Sequence, residues 1–258
     1  MKQRLELDEF IRGFQNIDMS NPKPEVSVSY RVSIRSLRID VEGKTTVPHL
    51  WGLGQMTTAG SAHGSWVHGD GLGVAAKTGL MTAKALAKYI DDSELGEIDE
   101  KQVEFFRSRI FEAADFKGEC RPDQVIRYIS RLIKKPEYSF NKTEETMTDL
   151  IAQLNEIRGE YKDMIHLPKV NGHYLAKAIE LRTMIDMLEM MFMVFRTRKE
   201  SRGCFSRLDY PERDDKNWLK WVILEKGEDG RPAISLERIP IERYPFKPEG
   251  WQEIEVAE

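Results

Sequence analysis

A chain of 258 residues, 40% of them hydrophobic, is long enough for one or two domains with a sizeable core. Its formal net charge of −4 supplies no global basic field to hold a polyanion, so no nucleic-acid partner is expected. Cys120 and Cys204 stand far apart without CxxC spacing, which gives neither a disulfide framework nor a zinc or iron–sulfur site and fits a reducing cytoplasm.

In chain order, MKQRLELDEFIRGF is too charged for a secretory signal. Val26, Val28, Tyr30, Val32 and Ile34 alternate with polar residues as in a half-buried strand, and the apolar phase then shifts to Leu37, Ile39 and Val41. That shift predicts a bulge or turn near Arg35 and Ser36, and Glu42–Gly43 ends the unit. After Pro48, His-Leu-Trp-Gly-Leu-Gly reads as a short strand entering a Gly-rich loop. From Leu72 to Ile90 the pattern is helical and rich in alanine, as in a buried helix that lets another backbone approach closely.

Amphipathic helices follow. Asp99 and Gln102 suggest a capping box ahead of Val103, Phe106 and Ile110, and Pro122 opens a helix with Val125, Ile129 and Leu132 on one face. A third helix carries Leu150, Leu154, Ile157, Tyr161 and Met164 and stops before Pro168. A fourth runs from about Tyr174 through Phe195 to a basic end at Arg196, Arg198 and Lys199, closed by Gly203. Within it, the Met184–Met193 cluster reads as packed core. The most apolar run, Met187 to Phe195, is broken by Glu189 and is far shorter than the roughly 20 residues that span a bilayer, so no membrane insertion is expected. Trp221–Leu224 and Ile234–Leu236 flank Gly-Glu-Asp-Gly, a hairpin signal. His63 and His68 lack a third ligand and a usable spacing, so no metal site is read there.

Three segments carry chemistry. Thr45-Thr46-Val47-Pro48-His49-Leu50-Trp51-Gly52-Leu53-Gly54-Gln55 combines a strand ending at glycine, where backbone can approach a cofactor, with a polar side chain suited to a ribityl or ribose hydroxyl. Gly60-Ser61-Ala62-His63-Gly64 leads to His68-Gly69-Asp70-Gly71-Leu72-Gly73-Val74-Ala75-Ala76-Lys77. The latter formally fits G-x-G-x-x-A but has no strand leading into it, so it fails as a dinucleotide fingerprint. Read as a glycine-rich loop opening a helix, it offers N–H groups and the positive helix end to an electron-rich group. The third segment, Glu200-Ser201-Arg202-Gly203-Cys204-Phe205-Ser206-Arg207-Leu208-Asp209-Tyr210-Pro211-Glu212-Arg213-Asp214-Asp215-Lys216-Asn217-Trp218, would ordinarily read as a solvated loop of weak ion pairs.

Together these segments resemble the C-terminal half of the succinate dehydrogenase, fumarate reductase and adenylylsulfate reductase flavoprotein superfamily. The first is similar to its T-S-V-P-G-L-Y-A-A-G-E stretch, with Gln55 where Glu or Asp is usual. The second is similar to H-G-x-N-R-L-G-G-N-S-L through His63-Gly64, and to the I-A-A-K of the adenylylsulfate reductase branch through Val74 to Lys77. The third is similar to E-S-R-G-A-H-x-R-x-D-Y-P-E-R-D-D-E-N-W, with Cys204 in place of its histidine. The resemblance implies FAD as cofactor, with Gly54, Gln55, His63, Gly64, Gly71, Leu72 and Gly73 against it and Arg31, His63 and Arg202 as catalytic candidates.

The family's H-Y-x-M-G-G strand is not matched: Arg31-Val32-Ser33-Ile34-Arg35-Ser36 occupies its place, and Val67 stands where the loop arginine would be. Without those groups to clamp and protonate a dicarboxylate, fumarate or succinate turnover is not expected. Arg31, Arg35 and Arg38 concentrate charge suited to a small anionic substrate, or else line the solvent face opposite Val32 and Ile34.

The expected fold is α+β. Residues 1–95 form the C-terminal part of an FAD-binding α/β domain, residues 96–200 a helical bundle domain of the family type, and residues 201–258 a loop and β-hairpin extension. The expected function is that of a C-terminal subunit or fragment of a cytoplasmic FAD-dependent oxidoreductase. An N-terminal FAD-binding polypeptide or missing segment would complete it, and an iron–sulfur subunit or other carrier would exchange electrons with it. The alternatives are an adenylylsulfate reductase-like piece, a flavin-free assembly scaffold and a regulatory module that only binds anions.

Overall fold

The computed structural model describes residues 37–54, 56–57, 70–93, 96–203, 205–243 and 245, and the Val26–Ile34 alternation lies outside them. All belong to the compact unit Ile34–Glu258. It is helix-rich, with a single two-stranded sheet among the described residues.

The elements in order are α1 (Asp70–Asp91), α2 (Glu100–Phe111), α3 (Pro122–Leu132), the short α4 (Pro136–Ser139), α5 (Glu144–Met164), α6 (Gly172–Thr197), the short α7 (Asp215–Trp218), β1 (Lys220–Lys226) and β2 (Pro232–Arg238). Their starts follow side-chain chemistry. Asp99 accepts from the N–H groups of Lys101 and Gln102, Thr143 from that of Thr146, and Asn171 from that of Tyr174, each filling a donor that the first helical turn cannot satisfy. Pro122 stands at the first position of α3, where its missing N–H costs nothing.

The core lies among α3, α5 and α6. Val125, Ile129 and Leu132 of α3 meet Leu150, Leu154 and Ile157 of α5 and Leu181, Ile185 and Phe192 of α6, all buried. The spacing of three and four residues aligns each set on one helix face, as the sequence predicts. Met191 is buried and Met184 packs against the same core. Tyr161 donates its hydroxyl to the Ala178 carbonyl at 2.9 Å, and burial pushes that phenol up to about 12.

Two expectations fail here. The alanine-rich helix α1 is not buried: Thr82 is its sole buried side chain among those described, and Leu72 is 82% exposed. Its small-residue face meets the preceding segment, while Leu72, Leu80 and Ile90 project elsewhere. The strand expected after Pro48 is reduced to an isolated bridge between Lys44 and Trp51, because Gly43 at φ +91° and Gly54 at φ +64° bend the chain out of extended conformation at both ends.

The hairpin forms with longer strands than the alternation alone marks, Lys220 pairing with Arg238 and Lys226 with Pro232. Leu219, Ile239 and Ile241 make a second, small core with Trp221 against it. Arg38 reaches β2 through a two-pronged pair with Glu237, Nη2 to Oε1 at 2.7 Å, so its charge is spent there.

Candidate functional site

The segment 43–54 is laid along α1 by three contacts that step down the helix. Near the helix start, the Gly54 N–H donates to Thr78 Oγ1 at 2.8 Å while that hydroxyl donates to the Val74 carbonyl at 2.6 Å. A Cβ on Gly54 would sit 3.7 Å from the Ala75 Cβ. One turn further on, a Cβ on Gly43 would fall 2.2 Å from Thr82 Oγ1, so only glycine fits there. At the far end, His49 Nδ1 lies 2.5 Å from the Tyr89 hydroxyl, and Trp51 meets the Tyr89 ring edge-on at 5.7 Å. The left-handed φ of 62° at His49 belongs to that turn. Thr78 and Thr82, four residues apart, are thus the anchors on α1, and their polar spacing within an alanine-rich helix was the available signal for this face.

The start of α1 includes Gly71, Leu72 and Gly73 as its first turn. Among the described residues nothing lies within 4 Å of a Cβ built on Gly73, Leu72 is exposed, and Gly54 lies alongside at Ala75. Gln55, His63, Gly64 and Arg31 lie outside the described residues.

The third segment folds into a charged knot at the end of α6. Glu200 is fully buried and accepts from Arg198 at 2.6 Å, from Arg202 Nε and Nη2 at 2.8 and 2.9 Å, and from the Asp214 N–H at 2.9 Å. Arg202 also pairs with Asp215 at 2.7 Å. Burial works against the charge on Arg202, but Glu200 and Asp215 outweigh it and hold the guanidinium above its ordinary value. At Arg198 burial dominates and lowers it, despite Glu200.

Gly203 does not close α6 as expected. The helix ends at Thr197 with Arg198 in extended conformation, and Gly203, at φ +57°, serves instead the tight turn bridging Arg202 and Phe205. The task of capping falls to Arg207, whose fully buried guanidinium donates to the carbonyls of Phe195, Arg196 and Arg198 at 3.3, 2.8 and 3.0 Å. It also holds Asp209 in a two-pronged pair, which is the leading cause that keeps that carboxyl low. A cation at a helix C-terminus meets the negative end of the dipole.

Beside this knot Lys142 is 2% exposed, its ammonium donating to the Ser139 carbonyl and lying 5.7 and 5.6 Å from the ring centroids of Phe195 and Phe205. Desolvation lowers it to about 8. Lys142 was not legible as special, since Asn-Lys-Thr before a helix reads as an ordinary cap.

A helical core closed by a charged E-S-R-G loop is the arrangement that the comparisons with known proteins match. Residues 135–252 match the family model described as "Fumarate reductase flavoprotein C-term". The 8-methylmenaquinol:fumarate reductase flavoprotein subunit of Wolinella succinogenes is 24% identical over 90% of this chain and 39% of its own length. In fold, the chain is similar to the FrdA chain of Escherichia coli quinol fumarate reductase, with a TM-score of 0.78 and 20% identity over 93% of this chain and 42% of that one. It is less similar to adenosine-5-phosphosulfate reductase in complex with sulfite, with a TM-score of 0.57 and 17% identity over 67% of this chain and 30% of that one. The resemblance to the C-terminal half of the superfamily is therefore borne out, and the chain spans less than half the length of these relatives.

Proposed function

We propose that the chain is the C-terminal part of an FAD-dependent oxidoreductase of fumarate reductase/succinate dehydrogenase type, exchanging electrons between a small anionic substrate and an iron–sulfur or other carrier. The observation that carries this reading is the meeting of two segments at one place: Gly54, at left-handed φ, lies within about a turn of the Gly71–Gly73 start of α1. Both segments resemble flavin-contacting segments of the family.

The residues present fit a flavin. Gly54 lets backbone approach, Gly73 has no neighbour within 4 Å of its Cβ position among the described residues, and the first N–H groups of α1 suit the pyrimidine edge of the ring, where charge accumulates on reduction. Gln55, His63 and Gly64 belong to the same proposed surface. A bound flavin supplies the redox chemistry, while the chain's own groups bind, orient and tune it. Arg31 and His63 remain the candidates to touch substrate. Arg202, paired with Glu200 and Asp215, enters this reading as a positioning group of the loop.

The test is a visible spectrum of the native complex that contains this chain, with expected flavin absorption that bleaches on reduction. A flavin-free complex would overturn the reading in favour of a scaffold. The isolated chain is expected to bind FAD weakly, since the family places the adenine and pyrophosphate contacts in an N-terminal segment. Gly73→Asp in the complex should lower flavin content or its potential, because a negative charge at the helix start opposes the reduced ring. With fumarate and a reduced viologen dye only residual turnover is expected, since general-acid assistance is worth about 10²–10⁴ in rate. Rapid, saturable dye oxidation would show that other groups clamp and protonate the dicarboxylate.

A further inference from the structure

At the surface between α3 and α6 a cleft of about 440 Å³ opens, lined by none of the sequence motifs that carry the family resemblance. Arg121, Arg127 and Lys177 line it against one lining carboxylate, Asp123. The chain as a whole is acidic, so this local excess of positive charge runs against the global balance.

Asp123 organises the cations. Its Oδ1 accepts from Arg121 Nε at 3.0 Å and its Oδ2 from Arg127 at 2.7 Å, so one carboxylate holds two guanidinium groups side by side. Arg121 is the leading cause that keeps this carboxyl below its ordinary value, with burial opposing and Arg127 adding to the effect. Each guanidinium carries five N–H donors, and the bonds to Asp123 occupy only part of that capacity. Lys177 pairs with Glu180 at 2.6 Å, outside the lining.

One backbone N–H at each helix start is taken up by a side chain. Arg121 N–H donates to Gln124 Oε1 at 2.8 Å, and Tyr174 N–H to Asn171 Oδ1 at 3.1 Å. The charged side chains that line the cleft supply the strongest donors. Beside the charges, Ile126 and the Tyr174 ring supply an apolar wall, and the cleft volume lies within the range of small-molecule sites.

We propose that this cleft is a binding site for a small organic oxyanion, a carboxylate or phosphate ester on an apolar body. The paired guanidinium groups take the head and Ile126 with Tyr174 takes the body. A planar fork of N–H donors suits either oxyanion, and Arg binds such groups in two-pronged geometry. The proposal is independent of the flavin reading, since no residue is shared.

Calorimetric titration of the full chain with benzoate, phenyl phosphate, inorganic phosphate and phenol tests it. Benzoate or phenyl phosphate is expected to bind saturably and at least tenfold more tightly than either phosphate or phenol alone, because head and body both contribute. Whichever of the two binds more tightly names the head group. The double variant Arg127→Gln/Lys177→Gln should weaken that binding at least tenfold with an unchanged melting temperature, as both side chains are partly exposed. If the double variant is destabilised, Arg127→Lys replaces it: it keeps the charge, removes the fork, and should still weaken binding severalfold. Absence of saturable binding by both aromatic anions, or binding undiminished in the folded variants, would overturn the proposal.

Discussion

Helices α2 and α6 carry apolar residues at helical spacing, and the structure treats them in opposite ways. Seven side chains of α6, from Leu175 to Phe192, are buried, whereas α2 buries none and leaves Phe105, Phe106, Ile110 and Phe111 between 40% and 54% exposed. An amphipathic pattern states that a helix has an apolar face. It does not state what covers that face. In the region 112–215 the cover comes from α3 and α5 and from a loop that satisfies its own charges. In the region 37–111, among the described residues, the segment 43–54 covers the threonine and alanine side of α1.

If the first region is self-contained, its largest single dependence is Glu200. Removing it by Glu200→Ala leaves Arg198 without its carboxylate, and breaking a buried pair in this way typically costs about 3–5 kcal/mol. Urea denaturation of the chain should show a loss of this size. A loss under about 1 kcal/mol would mean that the knot is solvated and the contrast between regions overstated.

The contrast itself is tested by a matched pair of truncations. Leu181→Ala, at a fully buried position of α6, should cost about 2–5 kcal/mol. Phe106→Ala, on the exposed face of α2, should stay within about 0.5 kcal/mol in the isolated chain. Equal losses would show that α2 is covered in solution.

Burial of a lysine has a pH signature. The folded-state value of Lys142 is lowered to about 8, against an ordinary 10.5, so between those values the unfolded chain holds a proton that the folded chain has released. Stability should therefore rise with pH across that window, by about 2–3 kcal/mol at most, since each tenfold change in proton affinity is worth about 1.36 kcal/mol and the residual exposure of the site reduces the effect. Lys142→Met should abolish the slope and stabilise the protein near neutral pH. A flat profile in the native sequence would place the ammonium in water.

Helix starts and faces were legible because spacing of three and four residues, a cap and a proline are local facts: Pro122 and the Val125, Ile129 and Leu132 face stand as read, and Asp99 caps its helix, though only its own half of the expected box with Gln102 is formed. What escaped was set by distant partners. The end of α6 looked like a glycine cap, yet Arg207, ten residues beyond Thr197, takes its carbonyls, and no local pattern announces that reach. The alanines of α1 signalled close approach correctly, through Gly54 and Ala75, but implied burial on all sides, which the large residues of that helix contradict. The cleft beside α3 was equally silent in sequence, because Arg121 and Lys177 meet only when two helices pack.

The smallest expected effect concerns the join between the segment around Arg38 and the β-hairpin. Arg38, from the segment leading into 43–54, grips Glu237 on β2, and the two side chains are 45% and 41% exposed. Its two-pronged geometry favours a real interaction, but exposure and screening limit a pair of this kind to about 0.2–1 kcal/mol. A double-mutant cycle with Arg38→Gln and Glu237→Gln measures the coupling free of each side chain's other contacts. It should lie in that range in low salt and shrink toward zero at about 1 M, where the screening length falls to about 3 Å. Should the coupling exceed about 2 kcal/mol and resist salt, the pair is shielded from water in solution, and segment 37–57 is bound to the hairpin more firmly than its exposed surface implies.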